Sequence, residues 1–549
     1  MKPMHRTLAL FCAAAMLCST LSGCISLPDR GEETPQELSV QIDANVQSLD
    51  PHIASDGTSF EVLASLMDGL TQPDANGNAV PAIATDWSVS ADQKTWTFRL
   101  RRGALWSHTG SPVTAHDFVY AWKRAISPEI ASDYAYMFSV VAHILNAQKI
   151  RSGEASTDSL GITAVDDYTL KVELAVPTPY FAELLYLPVF YPMEKAFVEN
   201  CSGQFATSQD TLQSNGAFVM DFYAPSSTLL TLVKNEQYWD ADRIHLTRID
   251  YHLVQDAEET QAQYDAGKLD YVRLTGSHIT EFYKDPAFRA FDTGYLWYLA
   301  LNLQDVPLLQ NRSLRFALST AIDRETMIVE ALQDFSRAAY FLVPDHISSD
   351  SQGIDFRACA PDYASAVAYD VSAAQAYLEQ CKEETGLSSF HLQLLVDDAQ
   401  AETLAPYLKR EIEESLPDVE IEIISKNRRQ VSLDLRSGNF QIALTRWGPD
   451  YPDPTAYLNV WHTGNALNFG GWSDPHYDRL LRLAVLQGAD ETQRRTTLIE
   501  TEAIAMQDLP VIPLYEKRDS VLVRETVSGL IHLTFGPETI YKDVVISED

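Results

Sequence analysis

The residues best suited to chemistry stand in one short stretch, Arg446-Trp447-Gly448-Pro449-Asp450-Tyr451-Pro452-Asp453-Pro454. It sets one carboxylate, Asp450, between two large aromatics, Trp447 and Tyr451. Aromatic walls around a single anion suit a pocket for a cationic group on an otherwise variable ligand. The same residues leave a second chemistry open: Asp450 and Asp453 could act as acid and base in an exported hydrolase. Against it, the chain has no Gly-x-Ser-x-Gly, no His-Glu-x-x-His and no Cys/His spacing of a zinc site. Asp453, between Pro452 and Pro454, reads more simply as a turn former. Locally, Asp450 is an ordinary turn residue too, so its role depends on where the fold puts it.

The elements around it give that place. Phe440-Gln441-Ile442-Ala443-Leu444 alternates, which predicts a half-buried strand with Phe440, Ile442 and Leu444 on one face. Pro449 lacks a backbone donor and restricts Gly448, so the chain leaves the sheet there. Upstream, Asp323 is expected to cap a helical stretch through Leu332. Leu404, Tyr407, Leu408 and Ile412 recur at helical spacing, and residues 419–424 alternate as a strand. Strand–helix–strand alternation implies a parallel sheet covered by helices. Ligands on such sheets sit in the crevice beyond the strand ends, where Asp450 falls.

The N-terminal half adds further elements. Leu38, Val40 and Ile42 predict a first strand, residues 45–57 a loop, and Phe60, Leu63, Met67 and Leu70 a helix. Trp96, Phe98 and Leu100 share one face of a strand, and residues 167–174 form another. Thr114 and Asp117 resemble a capping box that opens a helix with Phe118, Ala121, Trp122 and Ala125 on one face. Those aromatics read as core rather than ligand contacts.

At 549 residues the chain is long enough for about three folding units. Apolar residues make up 46% and charged residues 21%, a globular balance. The net charge of −35 repels phosphate backbones, which argues against nucleic acid. It repels anionic membrane surfaces as well, so any membrane contact needs an anchor. One is visible. Lys2, His5 and Arg6 precede an apolar run from Thr7 to Ser19, too short to span a bilayer comfortably, and Leu21-Ser22-Gly23-Cys24 follows. That order resembles a bacterial lipobox, which implies cleavage before Cys24 and lipidation of its thiol. An ordinary signal peptide with an incidental cysteine is the alternative. A single acyl chain binds a bilayer only marginally, and the resemblance implies several on Cys24. Cys201, Cys359 and Cys381 then remain, and a pairing of Cys359 with Cys381 is left open.

Several motifs are similar to those of bacterial oligopeptide-binding proteins, the extracytoplasmic solute-binding proteins of family 5 that serve peptide ABC importers. They are Asp86-Trp87, Trp96-Thr97-Phe98-Arg99-Leu100-Arg101, Leu105-Trp106-Ser107 and the run from Val113 to Trp122. Asn215-Gly216-Ala217-Phe218, Asn235-Glu236-Gln237-Tyr238-Trp239-Asp240, Ala266-Gly267-Lys268-Leu269-Asp270, residues 314–324, residues 510–515 and residues 447–454 follow in the family's order. The resemblance runs from about residue 38 to the C-terminus.

It implies an α/β, two-lobed periplasmic-binding-protein-like fold of type II, with an extra inserted domain and a hinge. After a signal peptide (1–23) and tether (24–37), lobe I would comprise 38–77, 205–302 and 515–549. The inserted domain would be 78–204 and lobe II 303–514. The implied function is capture of oligopeptides between the lobes by a monomer and delivery to the permease subunits of an ABC transporter, without cofactor or catalysis. Asp450 would take the peptide's N-terminal ammonium. Trp447 and Gly448 would offer backbone edges from lobe II, and Ser55, Asp56, Gly57 and Thr58 from lobe I. Tyr451, Arg446, Tyr298 and Asn302 would complete the site. Family relatives that carry a nickel chelate, haem, opines or sugars, or that receive signalling peptides, keep those ligands open. One position departs from the pattern: Leu444 stands where well-known members have an arginine that reads the C-terminus of short peptides.

Overall fold

The structure is a computed structural model that describes residues 34–224 and 227–548. The signal segment, Cys24 and most of the tether lie outside the described residues.

Alternating apolar runs build one large mixed sheet. Across it the strands lie in the order Val419–Lys426, Phe390–Asp397, Ile442–Trp447, Phe288–Leu301, Val511–Val523, Tyr271–Arg273, Glu37–Ile42, Arg248–Leu253, Leu229–Lys234 and Phe218–Phe222. Phe390–Asp397 is parallel to both of its neighbours, and so is Glu37–Ile42. The parallel sheet expected from strand–helix alternation is confined to these two groups. The strands between them are antiparallel because the chain crosses from one group to the other and back.

Those two crossings join the two groups. Phe288–Asp292 pairs with Leu522–Arg518 on one side, while Leu296–Leu301 pairs with Trp447–Ile442 on the other. The register breaks between Asp292 and Leu296. Gly294 occupies the break at φ +73°, and a Cβ there would lie 2.9 Å from Pro449 Cδ and from the Thr534 carbonyl. Only glycine tolerates both that backbone and that approach. Pro513 sits inside the return strand beside a second register shift, at Trp297/Tyr298, where a missing donor is tolerated.

A separate four-stranded antiparallel sheet runs Ala84–Val89, Thr95–Leu100, Thr169–Glu173, Ile162–Asp166. The helix Ala115–Ala125 packs beside it and opens on the expected Thr114/Asp117 capping box. Phe118 and Trp122 are fully buried, each side chain stabilising the fold by about 1.5–3 kcal/mol. The Trp122 indole N–H donates to the Phe190 carbonyl at 2.8 Å. Arg124 at the end of this helix pairs with Asp50 at 2.5 Å, tying the small sheet's domain to the loop before Gly57.

One expectation changes in detail, and one open point is answered. The first helix, Gly57–Leu66, ends before Leu70. The Asn215 amide takes the Asp68 backbone N–H and carbonyl, and Gly69 presses so closely on the Leu185 carbonyl that no Cβ would fit. Cys359 is exposed, Cys381 is buried, and both are free thiols.

Candidate functional site

Asp450 lies where the crossing strands meet the lobes. Ile442–Trp447 delivers it, and the Pro449 ring beside it rests against Gly294. The Tyr136 hydroxyl donates to Asp450 Oδ2 at 2.6 Å, from the domain of the small sheet. Burial raises the Asp450 carboxyl above the ordinary range, and the Tyr136 bond partly offsets the rise. No cationic side chain among the described residues contributes to that offset. The half-buried carboxylate lines a cavity of about 140 Å³ with Ser55, Gly57, Tyr134, Tyr295 and Glu538.

The neighbouring residues hold this arrangement. Asp56 caps the helix Gly57–Leu66, accepting from the Ser59 N–H at 2.8 Å, which fixes Ser55 and Gly57 at the rim. Thr58 is half-buried in the first turn and does not line the cavity. Trp447 pairs with Leu296 in the sheet, and its indole N–H donates to the Ala456 carbonyl at 2.8 Å. A Cβ on Gly448 would come within 2.5 Å of the Tyr295 ring, so glycine lets that ring close over the backbone. Arg446 is exposed and stacks over Tyr295 at 4.7 Å and Trp297 at 5.4 Å. Tyr451 is buried and stacks on Tyr180 at 5.0 Å, joining the segment after Ile442–Trp447 to the small sheet's domain.

Two further expected site residues are turned elsewhere. Tyr298 is buried edge-on against Trp461 at 5.2 Å, because alternation along its strand aims Trp297 rather than Tyr298 at Arg446. Asn302 donates to the Gly438 and Phe440 carbonyls and accepts from the Asp305 N–H, so it staples the strand end. Neither lines the cavity. Tyr134, Tyr136, Thr293, Tyr295 and Glu538 do contact or line it and were absent from the sequence reading. The pair Tyr134 and Tyr136 stands out in the sequence, but no local pattern ties it to Asp450, 314 positions away.

The geometry does not favour the paired-carboxylate alternative. Asp453 accepts two bonds of 2.7 Å from Arg494 and another from the Thr455 N–H. A buried carboxylate paired this way with a guanidinium is a structural anchor and a poor base.

Residues 78–469 match the family model described as bacterial extracellular solute-binding proteins, family 5 Middle. The chain belongs to this family. As a family 5 solute-binding protein it shares the two-lobed fold of its relatives. The dipeptide-binding protein of Lactococcus lactis subsp. cremoris is 33% identical over 483 residues, 84% of this chain and 86% of that protein. The oligopeptide-binding protein OppA of Bacillus subtilis is 31% identical over 90% of each chain. The structure of Listeria monocytogenes OppA bound to peptide matches with a TM-score of 0.74 at 27% identity, over 94% of this chain and 100% of that one. Members of the family work outside the cytoplasm. Among the described residues no helix is long and apolar enough to cross a membrane.

Proposed function

We propose that this chain is the peptide-binding lipoprotein of an ABC importer, held at the cell membrane through Cys24 and binding without catalysis. Lobe I (38–77, 205–302 and 515–549), with its inserted domain (78–204), and lobe II (303–514) would close as a hinge over an extended peptide. One observation carries the reading: a half-buried carboxylate, Asp450, that no cation of the described residues neutralises, in a cavity walled by Tyr134 and Tyr295. Such a group suits a ligand ammonium, because burying it unpaired costs several kcal/mol. The backbone of Trp447 and Gly448 would pair with the peptide's own, so affinity would not depend on side-chain identity. The family relationship and the peptide-binding names of the relatives support the same assignment. Leu444 is buried and offers no charge, so the C-terminus of the peptide would be read elsewhere or not at all.

Equilibrium dialysis against a labelled tripeptide with a free amino terminus tests it. The expected result is retention of one peptide per chain, unchanged in mass after long incubation. No retention, or release of a shortened product, would contradict the receptor reading.

A further inference from the structure

A larger cavity, of about 440 Å³, lies beside that of Asp450. The two share Thr534 and Phe535 as a common wall. Pro452, Asp453 and Pro454, which follow Asp450 in the chain, line the larger one. The first side chain of a peptide anchored by its ammonium at Asp450 is the one closest to that chamber across the shared wall.

Glu183 lines this chamber from the short helix Phe181–Leu184. Its carboxylate is reached only by the backbone N–H groups of Glu183 and Ala79, and its Oε2 is buried without a partner. Burial raises its pKa, and no cation among the described residues offsets the rise. The arginines in the same wall are engaged elsewhere. Arg494 holds Asp453 through both terminal nitrogens, and Arg495 donates to the Ile354 and Asp355 carbonyls. His532 stacks on Phe291 at 4.4 Å, and burial brings its pKa down to about 4, so it is neutral and cannot serve as the missing cation. Of the other carboxylates in the wall, Asp292 pairs with Arg337 and Arg518, Asp453 with Arg494, and Glu491 accepts from Ser351. The chamber thus joins apolar wall to Glu183, the one carboxylate there that neither a cation nor a hydroxyl reaches. A lysine or arginine side chain fits that combination, its stem on the apolar surface and its head on the anion.

We infer that Glu183 reads a basic side chain on the first residue of the ligand, so that the preferred ligands carry two positive charges at their amino end. The inference rests on the peptide-binding reading above. Isothermal titration of the native chain with Lys-Ala-Ala and norleucine-Ala-Ala tests it, since norleucine keeps the stem and lacks the charge. One charge-assisted hydrogen bond predicts about tenfold tighter binding of the lysine peptide. In Glu183→Gln the ratio is expected to fall to about one with the norleucine peptide unchanged, which also shows that the variant is folded. Ala-Ala-Lys and Ala-Ala-norleucine should bind equally to the native chain. A ratio of one in the native chain, a preference that survives Glu183→Gln, or a preference for lysine at any position would overturn the inference. Binding of none of these peptides would instead refute the peptide reading itself, an outcome distinct from equal binding.

Discussion

Asp450→Asn combined with acetylation of the ligand isolates the proposed ion pair. A fully buried pair broken on one side costs about 3–5 kcal/mol. Asp450 is only half-buried and already accepts from Tyr136, so about 2–3 kcal/mol is the better expectation, some ~30- to ~150-fold in Kd. The assay is a double-mutant cycle by titration calorimetry: native and Asp450→Asn, each with a free and an acetylated tripeptide. Either change alone should cost the full amount, and the second should add little. The ligand-free protein gives an independent check. Burial raises the Asp450 pKa in the folded state, so the ionised group opposes folding above that pKa. The penalty fades as pH falls through it. Asp450→Asn should therefore stabilise the ligand-free protein at neutral pH and match native stability in acid. A coupling below about 0.5 kcal/mol, or a ligand-free variant less stable than native, would refute the reasoning.

Arg494→Met should destabilise by about 3–5 kcal/mol in chemical denaturation, because it strands the buried Asp453 carboxylate. Unchanged stability would mean that the pair contributes nothing. Burial pushes the Glu61 carboxyl up to about 8, against the attraction of Arg273 at 3.1 Å. The folded state then holds a proton that the unfolded state has released, so this group's contribution is lost as pH rises from about 5 to 8. Glu61→Gln should flatten stability across that window, and an unaltered pH profile would contradict the shift. Cys24→Ala in the cell that makes the protein should move it from the detergent phase to the aqueous phase on detergent partitioning. Persistence in the detergent phase would exclude Cys24 as the anchor.

Local elements were legible in the sequence where one face is buried and the other wet. Leu38, Val40 and Ile42 marked Glu37–Ile42, and Thr114 with Asp117 marked the start of Ala115–Ala125. Asp450 was legible because a strand pattern ran into three prolines, which forces the chain out of the sheet beside a crevice. The rest depends on contacts that no local pattern encodes. Tyr136 reaches Asp450 across 314 positions, and Tyr180 meets Tyr451 across a comparable separation. The resemblance implied Tyr298 as a site residue, yet strand alternation buries it on Trp461. The length of Val511–Val523 was hidden by Pro513, which a register shift accommodates.

The most direct measurement is native mass spectrometry of the chain from residue 25 onward, followed by denaturation and sequencing of whatever it carried from the cell. Asp450 as an ammonium anchor predicts a mixture of short peptides with free amino termini, much reduced in Asp450→Asn. A single non-peptide ligand, or peptides with blocked amino termini, would contradict it.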